Sequence, residues 1–168
     1  MGLEKSELAY ELAYKYEARY GGCAQTTFAG IMDALEKSSV EAFKAATGLA
    51  AGIGCSTEGT CGAVIGGAMA ISVLFGRERE EFEDPKKKRF LTYKMVNEFL
   101  EAFKNTFGTI KCNEIQKKMM GKTFNLLNPS EFEEFLKLGG HTDKCPFVTG
   151  TGAKLAVETI LKNFEELR

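Results

Sequence analysis

The sequence is short of several things on which common chemistries depend. It has one histidine, so a two-imidazole metal site or a Ser–His nucleophile would rest on His141 alone. His141 sits in a Gly-Gly-His-Thr-Asp turn, which predicts an exposed loop residue, near enough to Cys145 to support it. There is no Cys-x-x-Cys pair, which excludes a zinc ribbon and a haem attachment motif. No run reaches the roughly 18 to 20 apolar residues of a membrane helix; the most apolar stretch, residues 61–75, is rich in glycine and alanine and predicts a buried helix without membrane insertion. Charge of one sign is also lacking. The 22 Lys and Arg against 23 Asp and Glu exclude a general nucleic-acid binder, whose affinity needs a basic surface. The basic run Lys86-Lys87-Lys88-Arg89 is offset by Glu78, Glu80, Glu81, Glu83 and Asp84 and predicts a solvated turn and helix start. The N-terminus is charged and amphipathic from Glu4 onward, with no apolar secretory segment, which predicts a cytoplasmic protein and makes structural disulfides the less expected use of its cysteines.

What is present is helical periodicity, with no long strict alternation of the strand type. At 168 residues the chain buries roughly 70% of its unfolded surface, enough for one core. The expected fold is all-α, a single-domain helical bundle of about six to eight helices over residues 1–168. Ser6, Leu8, Leu12, Tyr16 and Tyr20 mark a first helix closed by Gly21-Gly22. Second and third helices are expected over residues 23–36 and 40–51, followed by a tight loop carrying Gly52, Gly54 and Gly59. The next begins near Cys61 and is lined with Gly62, Ala63, Gly66, Gly67, Ala68 and Ala70. Interior glycines cost a helix about 0.5 to 1 kcal/mol each, so several together predict a close neighbour, within the chain or from a second copy in a homodimer. Phe90, Tyr93, Val96, Phe99, Leu100, Phe103 and Phe107 predict the longest amphipathic helix, its aromatic stripe in the core. A short helix over residues 112–119 and another beginning around Ser130 and ending near Gly139-Gly140 come next. The last carries Ala153, Ala156, Ile160, Phe164 and Leu167 on one face. Gly150-Thr151-Gly152-Ala153-Lys154 does not make a P-loop, because Leu155 stands where the hydroxyl residue is required.

The five cysteines carry the functional argument. Cys23 follows Gly21-Gly22, Cys61 follows Gly59-Thr60, Cys112 follows Gly108 and Thr109, and Cys145 precedes Pro146. Each of these four falls at a predicted helix N-terminus, where free N–H groups and the positive end of the helix dipole favour a thiolate. Any one cysteine is also a good core residue, since free Cys behaves as a small hydrophobe. With gaps of 32, 6, 51 and 33 residues, a common site requires convergence in three dimensions. If the four helix starts point at one another, they can hold a metal, a cluster or a disulfide pair. Cys55 and Cys61 are the only close pair and can shuttle a disulfide.

Cys23-Ala24-Gln25, then Cys61-Gly62-Ala63-Val64-Ile65-Gly66, then a lone Cys112 after Phe-Gly-Thr-Ile, then Cys145-Pro146, resemble the four-cysteine C_GCAxxG_C_C family, described as redox-active and bearing a CGAxxG motif. The resemblance implies a small helical protein whose family cysteines fall on Cys23, Cys61, Cys112 and Cys145, with Cys55 outside the pattern. It supplies no substrate.

Three functions follow as expectations. In the first, Cys23, Cys61, Cys112 and Cys145 serve as redox and cofactor ligands, holding an iron–sulfur cluster or another thiophilic metal. In the second the chain is a thiol–disulfide oxidoreductase or redox sensor, with Cys61 or Cys23 attacking and another cysteine resolving. The third is a non-redox ligand-binding module built on the glycine-rich region of residues 48–67. The redox readings imply an electron-transfer or thiol partner protein.

Overall fold

Helix follows helix along almost the whole chain: α1 (Gly2–Tyr20), α2 (Cys23–Ala34), α3 (Val40–Ala45), α4 (Gly62–Phe75), α5 (Lys88–Phe107), α6 (Cys112–Met120), α7 (Pro129–Lys137) and α8 (Cys145–Glu166). The structure, a computed structural model, describes residues 2–166. Among them there is no strand, only one isolated antiparallel bridge between Thr60 and Lys111. The all-α expectation holds, with eight α-helices in one body.

Helices α1, α2, α4 and α8 pack on one another, and α5 lies across α4 and α8. Backbone closeness decides which faces meet. The buried residues of α1 are Ser6, Ala9, Ala13 and Glu17, while Leu8 and Tyr20, from the row that marks the helix in sequence, face outward. The reason lies in the neighbours. A Cβ on Gly30 of α2 would come within 2.7 Å of Ala13, and one on Gly150 of α8 within 2.9 Å of the Tyr10 ring. Where helices run this close, the small side chains face inward and the larger apolar ones flank the contact.

Helix α4 is enclosed on three sides. A Cβ on Gly66 would lie 2.5 Å from Ala24 O, one on Gly67 would lie 2.5 Å from the Phe99 ring, and Ala63 packs beneath Gly152. Gly66, Gly67 and Ala63 therefore meet neighbours within the chain, while Ala68 is half-buried beside a surface groove. In α5 the buried stripe is Thr92, Met95, Phe99, Phe103 and Phe107, with Phe90 and Tyr93 outside it on the surface. The basic run is exposed apart from half-buried Lys88, and α5 starts within it, as expected; Asp84 just before it is buried, accepting the N–H groups of Lys88 and Arg89 and so capping α5. Helix α8 buries Ala153, Ala156 and Ile160; Phe164 is partly exposed against Phe75, and Leu167 lies outside the described residues.

The expected third helix over residues 40–51 is broken. It ends at Ala45, continues as a 3₁₀ turn, Ala46–Leu49, and reverses hand at Ala51. The α7 start is capped by the Asn128 side chain, which accepts from Ser130 and Glu131 N–H, with Pro129 in the first turn.

Gly66→Ala tests the close approach. Alanine improves helix propensity by about 1 kcal/mol, but overpacking against backbone costs about 1 to 3 kcal/mol or more. A lowered urea midpoint is expected by circular dichroism. A raised midpoint would show that α2 and α4 stand further apart.

Candidate functional site: a cavity walled by five cysteines

Cysteine stands at the start of four helices, as the sequence predicts. Cys23, Cys112 and Cys145 are the first residues of α2, α6 and α8, the last following directly on a π-helical turn, Gly140–Lys144, rather than at a free helix end, and Cys61 is the N-cap of α4. Two pieces of backbone bring these starts together. Around the Thr60–Lys111 bridge, Cys61 N–H donates to Ile110 O at 2.7 Å and Cys112 N–H donates to Gly59 O at 3.0 Å, which ties the α4 and α6 starts side by side. At Gly62 a Cβ would overlap Cys23 Sγ and would lie 2.8 Å from Ala24 N, so the absence of a side chain there makes the seat for the Cys23 sulfur.

All five cysteines line one cavity of about 150 Å³, and all five are free thiols. Its remaining wall is mostly apolar, with Ile115, Met119, Phe132, Phe135 and Val148, interrupted by Glu17, Gln116, His141 and Lys144. Gln116 donates to Cys112 Sγ at 3.8 Å while its amide oxygen accepts Phe124 N–H.

The fifth cysteine arrives on an unusual backbone. Residues 51–55 all have positive φ, from 48° at Ala51 to 76° at Gly52, and three of them are Ala51, Ile53 and Cys55. An L-residue with a side chain pays about 1 to 2 kcal/mol for this conformation. The turn is held by Cys55 N–H to Ala50 O, Thr57 N–H to Ala51 O and Gly59 N–H to Gly52 O. It aims Ala51 N–H at Cys23 Sγ, 3.2 Å away, and sets Cys55 on the cavity wall.

A family model described as "Putative redox-active protein (C_GCAxxG_C_C)" matches residues 7–159. The chain belongs to this family. No curated protein and no solved structure matches it. The C_GCAxxG_C_C pattern has a direct structural reading here: Cys61 caps α4, Gly62 and Gly66 admit the first turn of α2 with Cys23, and Ala63 packs on α8.

Electrostatics correct one expectation about these family cysteines. Backbone N–H groups do reach two of the sulfurs, from the Ala51 turn and from Gly62 at the α4 start to Cys23, and from Ala63 and Val64 to Cys61, and these favour the thiolate. Burial outweighs them. It pushes the Cys61 and Cys112 thiols up to about 12 and those of Cys23 and Cys145 well above the ordinary thiol value, with the neighbouring cysteines adding to the rise. These four cysteines are therefore neutral thiols at neutral pH.

Two further groups belong to the site. Glu17 is the residue that sequence reasoning missed. Its side chain is 2% exposed, accepts Thr26 Oγ1 at 2.6 Å and faces His141 Nε2 at 3.7 Å. Burial raises its carboxyl to about 7 against the Thr26 hydrogen bond, which lowers it. The available signal is its place four residues after Ala13 on the small-residue face of α1. His141 is not a plain surface residue: its ring stands edge-on to Phe132 and Phe135, and burial lowers its pKa.

Two outcomes follow. In the folded chain at pH 8 only on the order of 10⁻⁴ of a thiol titrating near 12 is ionised. Iodoacetamide should therefore modify half-buried Cys55 well ahead of Cys61 and Cys112, read by peptide mass mapping; equal rates would contradict the burial. For Glu17, the folded carboxyl holds its proton more tightly than the unfolded one, so its stabilising share is complete below about pH 4.5 and is lost as pH rises through about 7. Glu17→Gln should raise the urea midpoint at pH 8 but not at pH 4, by up to roughly 3 kcal/mol of stability.

Proposed function

We propose that this chain is an electron carrier in which Cys23, Cys61, Cys112 and Cys145 hold an iron–sulfur cluster. The observation that carries this reading is the arrival of four cysteines from four helix starts around one cavity. A single ion suits the donors less well. Thiolates bind zinc at about 2.3 Å, and among the described residues no group of three or more His, Cys, Asp or Glu is gathered closely enough to hold one metal ion. A cluster has volume of its own, and its cysteine ligands stand apart around it, as sulfurs around a cavity do.

The donor set agrees in chemistry. Four soft thiolates suit iron–sulfur ligation. N–H groups from Ala51, Gly62, Ala63 and Val64 spread the negative charge of the sulfurs, and the wall around them is mostly apolar. A cluster bound there supplies one-electron transfer. The raised thiol pKa values fit a ligand role better than a nucleophilic one, because a bound cation offsets the charge that burial otherwise forbids. A second reading, disulfide exchange between Cys55 and Cys112, is favoured by one observation: Cys55 is close enough for its charge to raise the Cys112 thiol.

Purification without oxygen, with iron and sulfide supplied, decides between them. The cluster reading expects broad sulfur-to-iron absorption with bound iron and acid-labile sulfide. Cys→Ser at 23, 61, 112 or 145 should remove both, and Cys55→Ser should retain them. Colourless, iron-free protein with five titratable thiols would overturn it, and a reversible loss of two of those thiols on mild oxidation would favour the exchange reading.

A further inference from the structure

Cys61 and Cys112 are 6% and 7% exposed, too little for a ligand or a reacting partner to close on them while the cavity wall stands as it is. One part of that wall is built differently from the rest. Leu126, Phe132 and Phe135 come from residues 122–138, the segment that carries α7, and within it only Phe124 and Phe135 are buried. The main packing partner of α7 is the turn Gly140–Lys144 beside it in the chain, whereas α1, α2, α4 and α8 pack directly on one another. A segment with so little buried apolar surface belongs to the least stable part of a fold. Gly121 and Gly139 bound it, with φ of 82° and 88°, and glycine moves between positive and negative φ without the penalty other residues meet. None of the five cysteines lies in the segment, so its movement uncovers the sulfurs without displacing them.

Its attachment to the body is sparse and specific. Phe124 N–H donates to Gln116 Oε1 at 3.0 Å, and because an N–H can only donate, this fixes the amide and turns Gln116 Nε2 toward Cys112 Sγ. Along the opposite edge, Thr123, Asn125 and Glu131 of the segment share a polar groove with Ser56, Glu58 and Asn113 of the body. Each side bonds within itself, Asn125 N–H to Glu131 at 2.8 Å and Glu58 N–H to Ser56 Oγ at 3.3 Å, while Asn113 Oδ1 is buried without a partner. An orphaned carbonyl of that kind weakens the closed arrangement. At the end of α7, Phe135 lies on the bare backbone of Gly140, where a Cβ would overlap the ring. Beyond it, Gly139 O accepts the N–H groups of Thr142, Asp143 and Lys144, which fixes the turn on the body side.

We propose that residues 122–138 are a lid, hinged at Gly121 and Gly139 and latched by Gln116, that opens over the thiol cavity while the helical bundle stays folded. Opening releases the Phe124 hydrogen bond and lifts Leu126, Phe132 and Phe135 from the sulfurs. The apolar wall that covers the thiols is thus also the door by which an occupant enters. Hinges of this sort are a few terminal positions that absorb the backbone change. The inference goes beyond the cluster reading and does not depend on it, because a cluster and a disulfide partner need the same way in.

The test uses the full chain, reduced and metal-free, with excess N-ethylmaleimide at one fixed pH and urea raised from zero toward the unfolding transition. Peptide mass mapping reads the modification of Cys61 and Cys112. A lid exposes little surface when it opens, so both rates should rise with urea at less than about half the slope of global unfolding. A slope equal to that of global unfolding overturns the lid, because only the unfolded chain would then react. Gly140→Ala supplies a wedge: its methyl group displaces the Phe135 ring. It should speed both modifications and amide hydrogen exchange within residues 122–138 by about tenfold, the size expected of overpacking confined to the closed state, with α2, α4 and α8 as protected as before. Unchanged modification in a folded Gly140→Ala chain overturns the proposal, and so does exchange that quickens in α2 and α4 together with the segment. The urea slope needs no variant, so it decides the matter even if Gly140→Ala does not fold. No iron takes part in either measurement, which keeps failure of the lid separate from failure of the cluster reading.

Discussion

The contact of Cys23 Sγ with the bare backbone at Gly62 is the point on which the rest of the site is built. It requires that the first turns of α2 and α4 abut. That in turn requires Gly66 one turn later against Ala24 and Thr27, and Ala63 against Gly152 of α8. Close-packed helices of small residues gain little from the size of any one side chain and much from continuous backbone contact. The same economy recurs where Ala13 meets Gly30. The fold spends its glycines on bringing helix starts together, and the large aromatic side chains of α5 fill the core behind them.

That arrangement sets two effects against each other. Helix starts offer N–H groups that stabilise a sulfur anion, yet the packing that makes them converge also removes water. Burial prevails, leaving neutral thiols with N–H groups already in position. In the cluster reading proposed above, a positively charged group takes the place of the protons. Glu17 lies in the same field, and burial keeps its carboxyl near the middle of the physiological range, where it can hold or give up a proton.

The left-handed turn at residues 51–55 stores strain at the cavity edge. Strain of this size persists only where the surroundings determine the backbone strongly. Here Gly52 and Gly59 close the loop upon itself, and Asn113 N–H donates to Thr57 O from the start of α6.

Helix count, the breaks at Gly21-Gly22 and Gly108, and the four cysteine positions were legible in the sequence, because periodicity and capping are local properties of the chain. The inward face of α1 was not. The Leu8 row suggests the helix, but the Ala9, Ala13 and Glu17 row is buried, since neighbours approaching within a Cβ's reach select by size. Glu17 escaped for the same reason, reading as a charge on a surface helix; His141, read as an exposed loop residue near Cys145, is half-buried because α1 and the segment before α8 meet over the cavity. The hand of residues 51–55 was hidden too, because Ala, Ile and Cys give no local signal for positive φ. The sequence by itself determined that this chain is helical and that four helices begin with a sulfur. Only the tertiary structure decided that those sulfurs face one cavity and are held as neutral thiols, because convergence and loss of water arise between elements distant along the chain.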